Sequence, residues 1–139
     1  MARITSSFAT LACALFLALG ASANPIAGPE LEKRVDHEGR GTWFNVGLGN
    51  CGKVSKDSEP VVAMSKAFYD ENHGSNCGQW VEITDRDTGK TALGQLWDSC
   101  PGCGRDDLDL SPSLFQQFAP LSKGVINISW HFKAKDFHP

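Results

Sequence analysis

The chain has 139 residues, a formal net charge of −3 and 14 glycines, with 5 cysteines and 4 tryptophans. Its charges are spread without a basic stripe, which argues against nucleic acid or an anionic membrane as partner. This length allows one small domain once the N-terminal segment is set aside.

The N-terminus has the pattern of a secretory signal peptide, predicted to span residues 1–23. Arg3 precedes an apolar run over residues 8–19, and the small residues 21–23 form a cleavage site. The apolar run is shorter than the roughly 20 residues that a membrane-spanning helix needs, and no later segment reaches that length. We therefore expect an exported, extracellular protein without a membrane partner.

Residues 24–34 form a short Pro- and Gly-containing stretch that ends in the dibasic pair Lys33-Arg34. We interpret it as a pro-segment removed by a kexin-type protease, although a disordered tail that happens to contain Lys-Arg is the alternative. The predicted domain covers residues 35–133, and residues 134–139 are predicted to be a loose tail.

Alternating apolar and polar residues predict short strands of a half-buried sheet. In chain order these strands cover residues 41–44, 60–65, 81–84, 93–97 and 126–132, with a hairpin loop at residues 85–90. A helix is predicted over residues 112–118, because Ser111 can cap it and Pro112 suits its first position. A weaker helical turn is predicted at residues 66–70. The pattern indicates an all-β fold, a compact β-barrel.

Four cysteines follow the predicted signal peptide, and in an oxidising compartment they are expected to form two disulfides. Three pairings are possible, and the sequence alone does not choose among them; we expect Cys51–Cys77 and Cys100–Cys103. The first would close a loop worth about 3 kcal/mol in the chain-entropy model.

A redox Cys-x-x-Cys motif and a zinc site completed by His73 are weaker alternatives for the cysteines. A thioredoxin-like motif follows a strand and opens a helix, whereas here Asp98 precedes Cys100 and a Gly- and Asp-rich loop follows Cys103. Zinc sites usually show a second close pair of ligands. We expect no metal and no cofactor.

Two carboxylates, Asp98 and Asp109, lie at the two ends of the Cys100–Cys103 loop. If Leu108 and Leu110 point into the core, Asp109 points away from it, which favours a functional carboxylate; an acceptor of backbone amides near the helix start is the alternative. Asp98 could face a groove, cap a turn, or do both.

Paired carboxylates suit chemistry at sugar bonds, and flat aromatic faces stack well on sugar rings. Trp43 and Trp97, next to Thr42 and Asp98 in the chain, are the aromatic residues predicted to bind a sugar in this way. The histidines are predicted to be solvent-facing or terminal: His37, His73, His131 and His138.

Several segments in order resemble the double-psi β-barrel of expansins, barwin-like proteins and rare-lipoprotein-A-like proteins. They are Gly41-Thr42-Trp43-Phe44, Gly49-Asn50-Cys51-Gly52, Val61-Val62-Ala63-Met64-Ser65, Asn76-Cys77-Gly78, Trp97-Asp98-Ser99-Cys100-Pro101, Leu108-Asp109-Leu110-Ser111-Pro112 and Gly124-Val125-Ile126-Asn127-Ile128-Ser129-Trp130. The similarity is greatest to the small fungal single-barrel proteins called loosenins. It implies a six-stranded barrel with an open groove, and the barwin pattern supports the pairing of Cys51 with Cys77.

Carried over residue by residue, the resemblance implies a groove lined by Thr42, Asp98 and Asp109, with Thr42 orienting Asp109 by a hydrogen bond. Related family-45 glycoside hydrolases carry a catalytic-base Asp just after this Thr, where the present chain has Asn45 or Val46. Expansins also carry a second β-sandwich domain, which we do not expect here, so binding would come from the barrel surface.

These observations predict a monomeric, non-hydrolytic, expansin-like protein that binds and loosens cell-wall polysaccharide, either cellulose, β-glucan or chitin. One alternative is a glycan-cleaving enzyme, a weak endoglucanase or lytic transglycosylase, with Asp109 and Asp98 as catalytic residues. A second alternative is a secreted protease inhibitor or an effector that binds a host protein.

Overall fold

The computed structural model describes residues 34–139 together with Gly20; the predicted signal peptide and nearly all of the predicted pro-segment lie outside the described residues. The described elements in chain order are β1 (His37–Trp43), β2 (Val61–Ser65), α1 (Lys66–Glu71), β3 (Trp80–Asp85), β4 (Thr91–Cys100), β5 (Leu108–Leu110), α2 (Pro112–Phe115), a 3-10 turn (Leu121–Lys123) and β6 (Ile126–Phe132). No helix within this part of the chain is long and apolar enough to cross a bilayer.

The six strands of residues 34–139 close into a barrel with the neighbour order β1-β5-β2-β4-β3-β6. The pairings β1–β5 and β2–β4 are parallel, whereas β3–β4, β2–β5, β1–β6 and β3–β6 are antiparallel. The prediction of an all-β, six-stranded double-psi β-barrel is confirmed.

The core forms because successive strand residues point to opposite faces. Burial alternates along β3 and β5. Leu108 and Leu110 are fully buried while Asp109 between them is only partly buried, so the condition for Asp109 to point away from the core is met. Every residue of β2 is buried. The largest fully buried side chain is Trp130 of β6.

The helix α2 packs against the barrel and closes one part of the core. Its N-terminus is capped as predicted, because the Ser111 hydroxyl accepts a hydrogen bond from the Leu114 amide. It passes so close to β4 that a methyl group at Gly94 would overlap side-chain atoms of Leu114 and Val62. The helix ends at Phe115, earlier than predicted, because the amides of Gln117 and Phe118 bond carbonyls three residues back, as in a tighter turn.

Both predicted disulfides are present in the described part of the chain. Cys51 pairs with Cys77, with 5.7 Å between their Cα atoms, and Cys100 pairs with Cys103, with 5.4 Å between theirs. The first joins segments 26 residues apart, and the second closes a loop between residues only three apart. The two bonds thus constrain the chain on very different length scales.

Candidate functional site

The parallel pairing of β1 with β5 places Thr42 directly beside Asp109. The Thr42 hydroxyl donates a hydrogen bond to the Asp109 carboxylate over 2.9 Å. Both side chains are partly buried and leave their strands on the side away from the core. The structure therefore brings together two of the predicted groove residues, with Thr42 in a position to orient the carboxylate.

The environment of Asp109 disfavours its ionised form. Burial is the main cause that raises the pKa of Asp109, and the negative charge of Asp98 raises it further. The Thr42 hydroxyl and the Leu110 amide oppose this shift because both hydrogen bonds stabilise the carboxylate. The balance leaves Asp109 with a pKa above the usual range of an aspartate, so it holds its proton to higher pH.

Asp98, near the end of β4, fixes the loop that follows β1. One of its carboxylate oxygens accepts hydrogen bonds from the amides of Asn50 and Ser99, over 2.9 and 2.8 Å. The loop approaches β4 closely: the Cys51 amide donates to the Trp97 carbonyl, and a methyl group at Gly49 would overlap that same carbonyl. Asp98 thus caps backbone amides while its charge still acts on Asp109.

The Cys100–Cys103 disulfide lies beside the Asp109 carboxylate. The two sulfur atoms and a carboxylate oxygen of Asp109 all lie within 4.8 Å of one another. Among residues 34–139 this is the one group of three such side chains close enough to hold a metal ion. Its sulfurs are bonded to each other, so they are not available as thiolate ligands in this state.

The two predicted rim tryptophans are placed differently. Trp97 is partly buried and lies against Gly78, with the Lys53 ammonium 5.3 Å from its ring centroid. Trp43 follows Thr42 in β1 and therefore points to the opposite side of the strand. It packs against the hydrophobic core, and its indole N–H donates to the Leu121 carbonyl over 2.9 Å. The position of Trp43 does not fit the predicted role at a groove rim beside Thr42.

The prediction that His37 and His131 face solvent is wrong. His131 of β6 is only 8% exposed. Its register partner on the neighbouring strand β3 is Glu82. The His37 ring stacks on Trp130 with 4.2 Å between centroids, and its Nδ1 lies 2.9 Å from Asp106. The burial of His131 breaks the alternation of β6, since the adjacent Trp130 is buried as well, and His37 of β1 is the register partner of Trp130. Their sequence neighbours reveal neither arrangement.

Sequence reasoning also missed Asp57, an exposed carboxylate from the loop before β2. It accepts hydrogen bonds from the Asn45 side chain and the Val46 amide, each over 2.8 Å. A carboxylate therefore does lie beside the positions where the related hydrolases carry their base, but one of its oxygens holds the Asn45 side chain and the other holds the Val46 backbone amide. Nothing in the sequence around Asp57 marks this long-range contact.

The loop between β1 and β2 also exposes two large aliphatic side chains. Leu48 and Val54 face each other across an isolated antiparallel bridge and are 73% and 72% exposed. The loop is anchored through Cys51 to Cys77, and the Tyr69 hydroxyl donates to the Asn50 carbonyl. The two side chains form a small exposed apolar pair on this anchored loop.

The closed barrel, its two parallel pairings and the Thr42–Asp109 pair define a double-psi β-barrel protein. No family model matches the chain. The papain inhibitor of Streptomyces mobaraensis is 35% identical over 101 residues, which cover 68% of this chain and 69% of that protein. The solved Streptomyces papain inhibitor superposes with a TM-score of 0.64 at 32% identity, covering 72% of this chain and 96% of that one.

The expansin of Clavibacter michiganensis superposes with a TM-score of 0.65 at 27% identity, over 76% of this chain and 54% of that one. It has been solved without ligand and, as a point mutant, in complex with cellohexaose. An Asp f 7 allergen homolog of Arthroderma benhamiae is 26% identical over 108 residues, 66% of this chain and 37% of that protein. The chain belongs to the double-psi β-barrel family that includes the Streptomyces papain inhibitor and the expansins.

Proposed function

We propose that this is an exported, non-hydrolytic, expansin-like protein that binds and loosens cell-wall polysaccharide, as loosenins do. The observation that carries the proposal is the hydrogen-bonded Thr42–Asp109 pair beside Asp98, in a barrel that superposes on an expansin solved with cellohexaose. Cellulose, β-glucan and chitin are the candidate ligands.

The chemistry of the site suits an uncharged sugar chain. Carboxylate oxygens of Asp98 and Asp109 can accept hydrogen bonds from sugar hydroxyls, and hydrogen bonds to charged groups are stronger than those between neutral groups. Trp97 directly precedes Asp98 in β4 and is only partly buried, and flat aromatic faces bury large apolar area against ring surfaces. The excess of acidic over basic residues is compatible with a neutral polymer.

The carboxylates available near the site do not form a clear acid and base pair for hydrolysis. Asp109, with its raised pKa, could supply a proton. Asp98, however, uses one oxygen to hold two amides, and Asp57 uses both oxygens to hold the loop after β1. Carboxylate oxygens that already accept hydrogen bonds from the protein are less available to position and activate a water molecule. A site whose described residues offer one candidate proton donor, while its other carboxylates already hold protein groups, supports polysaccharide binding over cleavage.

A sedimentation assay of the full chain with insoluble cellulose, β-glucan and chitin tests the proposal, with reducing ends measured in the same samples. We expect binding to at least one polymer, no release of reducing ends, and a loss of binding of about fivefold or more in Asp109→Ala. Asp70→Ala is the matched control, since Asp70 is an exposed carboxylate on α1. Absence of binding to all three polymers would contradict the proposal, and release of reducing ends lost in Asp109→Asn would instead establish a glycan-cleaving enzyme.

A second candidate function is inhibition of a cysteine protease. The similarity to the papain inhibitor favours it, together with the exposed Leu48 and Val54 pair on an anchored loop. Two aliphatic side chains with an accessible face can enter an apolar cleft of a partner protein.

Papain activity measured against increasing concentrations of the chain tests this candidate. We expect inhibition that Leu48→Ser and Val54→Ser weaken, while Val125→Ser, at a site 43% exposed, leaves it unchanged. Full papain activity at every concentration would reject papain inhibition without affecting the polysaccharide proposal.

A further inference from the structure

The disulfide between Cys100 and Cys103 differs from the other in its place in the fold. It closes a loop between residues three apart, at the exposed turn between β4 and β5, where Pro101 and Gly102 are exposed. A disulfide that closes so short a loop restricts the unfolded chain little, so its contribution to stability is small. A disulfide stabilises the fold by the same free energy by which the fold stabilises the disulfide. The fold therefore gives this bond little protection against reduction.

The site beside this disulfide also holds a group that can exchange a proton with sulfur. A carboxylate oxygen of Asp109 lies within 4.8 Å of both sulfur atoms, within reach directly or through one water molecule. The register partners of Asp109 on the two adjoining strands are Thr42 of β1 and the uncharged Ala63 of β2. The charge of Asp98, on β4, also acts on it. The raised pKa of Asp109 suits a group that both gives and takes a proton.

We propose that Cys100 and Cys103 form a thiol–disulfide exchange centre in which Asp109 is the proton donor and acceptor. The reacting partner is a thiol compound, either a small thiol or a cysteine-containing protein outside the cell. This activity is independent of polysaccharide binding, although both use the same face of the barrel.

The exchange proceeds in two balanced steps. A partner thiolate attacks one sulfur; a bond forms between the two, the Cys100–Cys103 bond breaks, and the second sulfur leaves as a thiolate that takes the proton of Asp109. A second partner thiolate then attacks the mixed disulfide, which releases the oxidised partner and frees the remaining cysteine as a thiolate. The two protons that the partner thiols gave to the solvent on ionising return from it, one to this thiolate and one to Asp109. Two partner thiols are oxidised to one disulfide, and the protein disulfide is reduced to two thiols. In the reverse direction the Asp109 carboxylate removes the proton from the attacking cysteine.

The Cys51–Cys77 disulfide provides an internal control, because it lies in the same molecule and links segments 26 residues apart. The folded full chain is exposed to reduced glutathione, free thiols are trapped with iodoacetamide over time, and the modified cysteines are identified by mass spectrometry. We expect Cys100 and Cys103 to be modified about tenfold faster than the control pair. Equal rates, or faster modification of Cys51 and Cys77, would overturn the proposal.

The role of Asp109 is tested by the pH profile of the same reaction. Asp109→Asn keeps an oxygen that can accept the Thr42 hydrogen bond, so folding should be retained, which circular dichroism verifies. We expect exchange at Cys100–Cys103 to slow about tenfold at the acidic end of the profile, with a smaller difference as the pH rises. Asp70→Asn should follow the wild-type profile. If Asp109→Asn reacts like wild type at every pH, Asp109 has no role in proton transfer and the proposed centre is refuted.

Discussion

Replacement of Thr42 by valine isolates the contribution of the Thr42–Asp109 hydrogen bond. Valine has nearly the same shape as threonine but lacks the hydroxyl that donates to Asp109 over 2.9 Å. A hydrogen bond to a charged acceptor is worth about 1.5–3 kcal/mol when buried, and partial solvation of both groups brings the expected loss of unfolding free energy to about 1 kcal/mol. Since this bond stabilises the carboxylate, its removal should also raise the pKa of Asp109 further.

Urea denaturation measures the stability change, and an NMR titration of the Asp109 side-chain carboxyl carbon measures the pKa. In the sedimentation assay, polysaccharide binding should weaken about fivefold, the change that corresponds to ~1 kcal/mol. Thr42→Ser is the matched control, because it keeps the hydroxyl and should leave the titration of Asp109 near that of wild type. An unchanged Asp109 titration in Thr42→Val would refute the reasoning, whatever the effect on stability.

Three further predictions concern stability. The raised pKa of Asp109 means that the native state holds this proton more tightly than the unfolded chain, so stability falls as the pH rises from the unfolded value of about 3.9 through the native one. Asp109→Asn should therefore have a higher Tm than wild type at neutral pH and an equal one near pH 3; a lower Tm at neutral pH would contradict this. Burial, aided by the charge of Arg34, lowers the pKa of His131, so stability is present above the unfolded value of about 6.5 and is lost as the pH falls through the native one. His131→Gln should reduce the difference between urea midpoints at pH 7 and pH 5, and an unchanged difference would count against it. Gly49→Ala should cost about 2 kcal/mol in urea denaturation, because the added methyl group overlaps the Trp97 carbonyl. Gly47→Ala, with open space around it, is the control, and equal losses in both variants would disprove the steric argument.

The sequence was sufficient to locate three of the longer strands and one helix start, whereas β1 begins four residues before the predicted segment. β3, β4 and β6 show alternation over enough residues for their period to be recognised, and Ser111-Pro112 marks the start of α2. The strand β5 has only three residues, too few for a period to be read. The order in which strands pair depends on contacts between distant segments, and the family resemblance supplied only the six-stranded barrel architecture.

The candidate site could be predicted only in part, for a similar reason. Asp109 was placed correctly because its two leucine neighbours reveal which way it points. The predicted position of Trp43 beside Thr42 at a groove rim does not fit the structure, because neighbouring residues of a strand point to opposite faces. Asp57 accepts a hydrogen bond from Asn45, and His131 lies beside Glu82; both partners come from other segments of the chain. A single sequence contains no local signal for such contacts.

The parallel alignment of β1 with β5 has a consequence for how the molecule folds. Thr42 and Asp109 are 67 positions apart, and their strands become neighbours only after the intervening chain has been arranged. Folding dominated by such non-local pairings is slow, because the entropy of loop closure is lost before the contacts form. The Thr42–Asp109 contact should therefore be among the last to appear during refolding. A fragment that lacks either end of the barrel should have no part of the site, and the Asp109 signal could serve as a reporter of complete barrel closure.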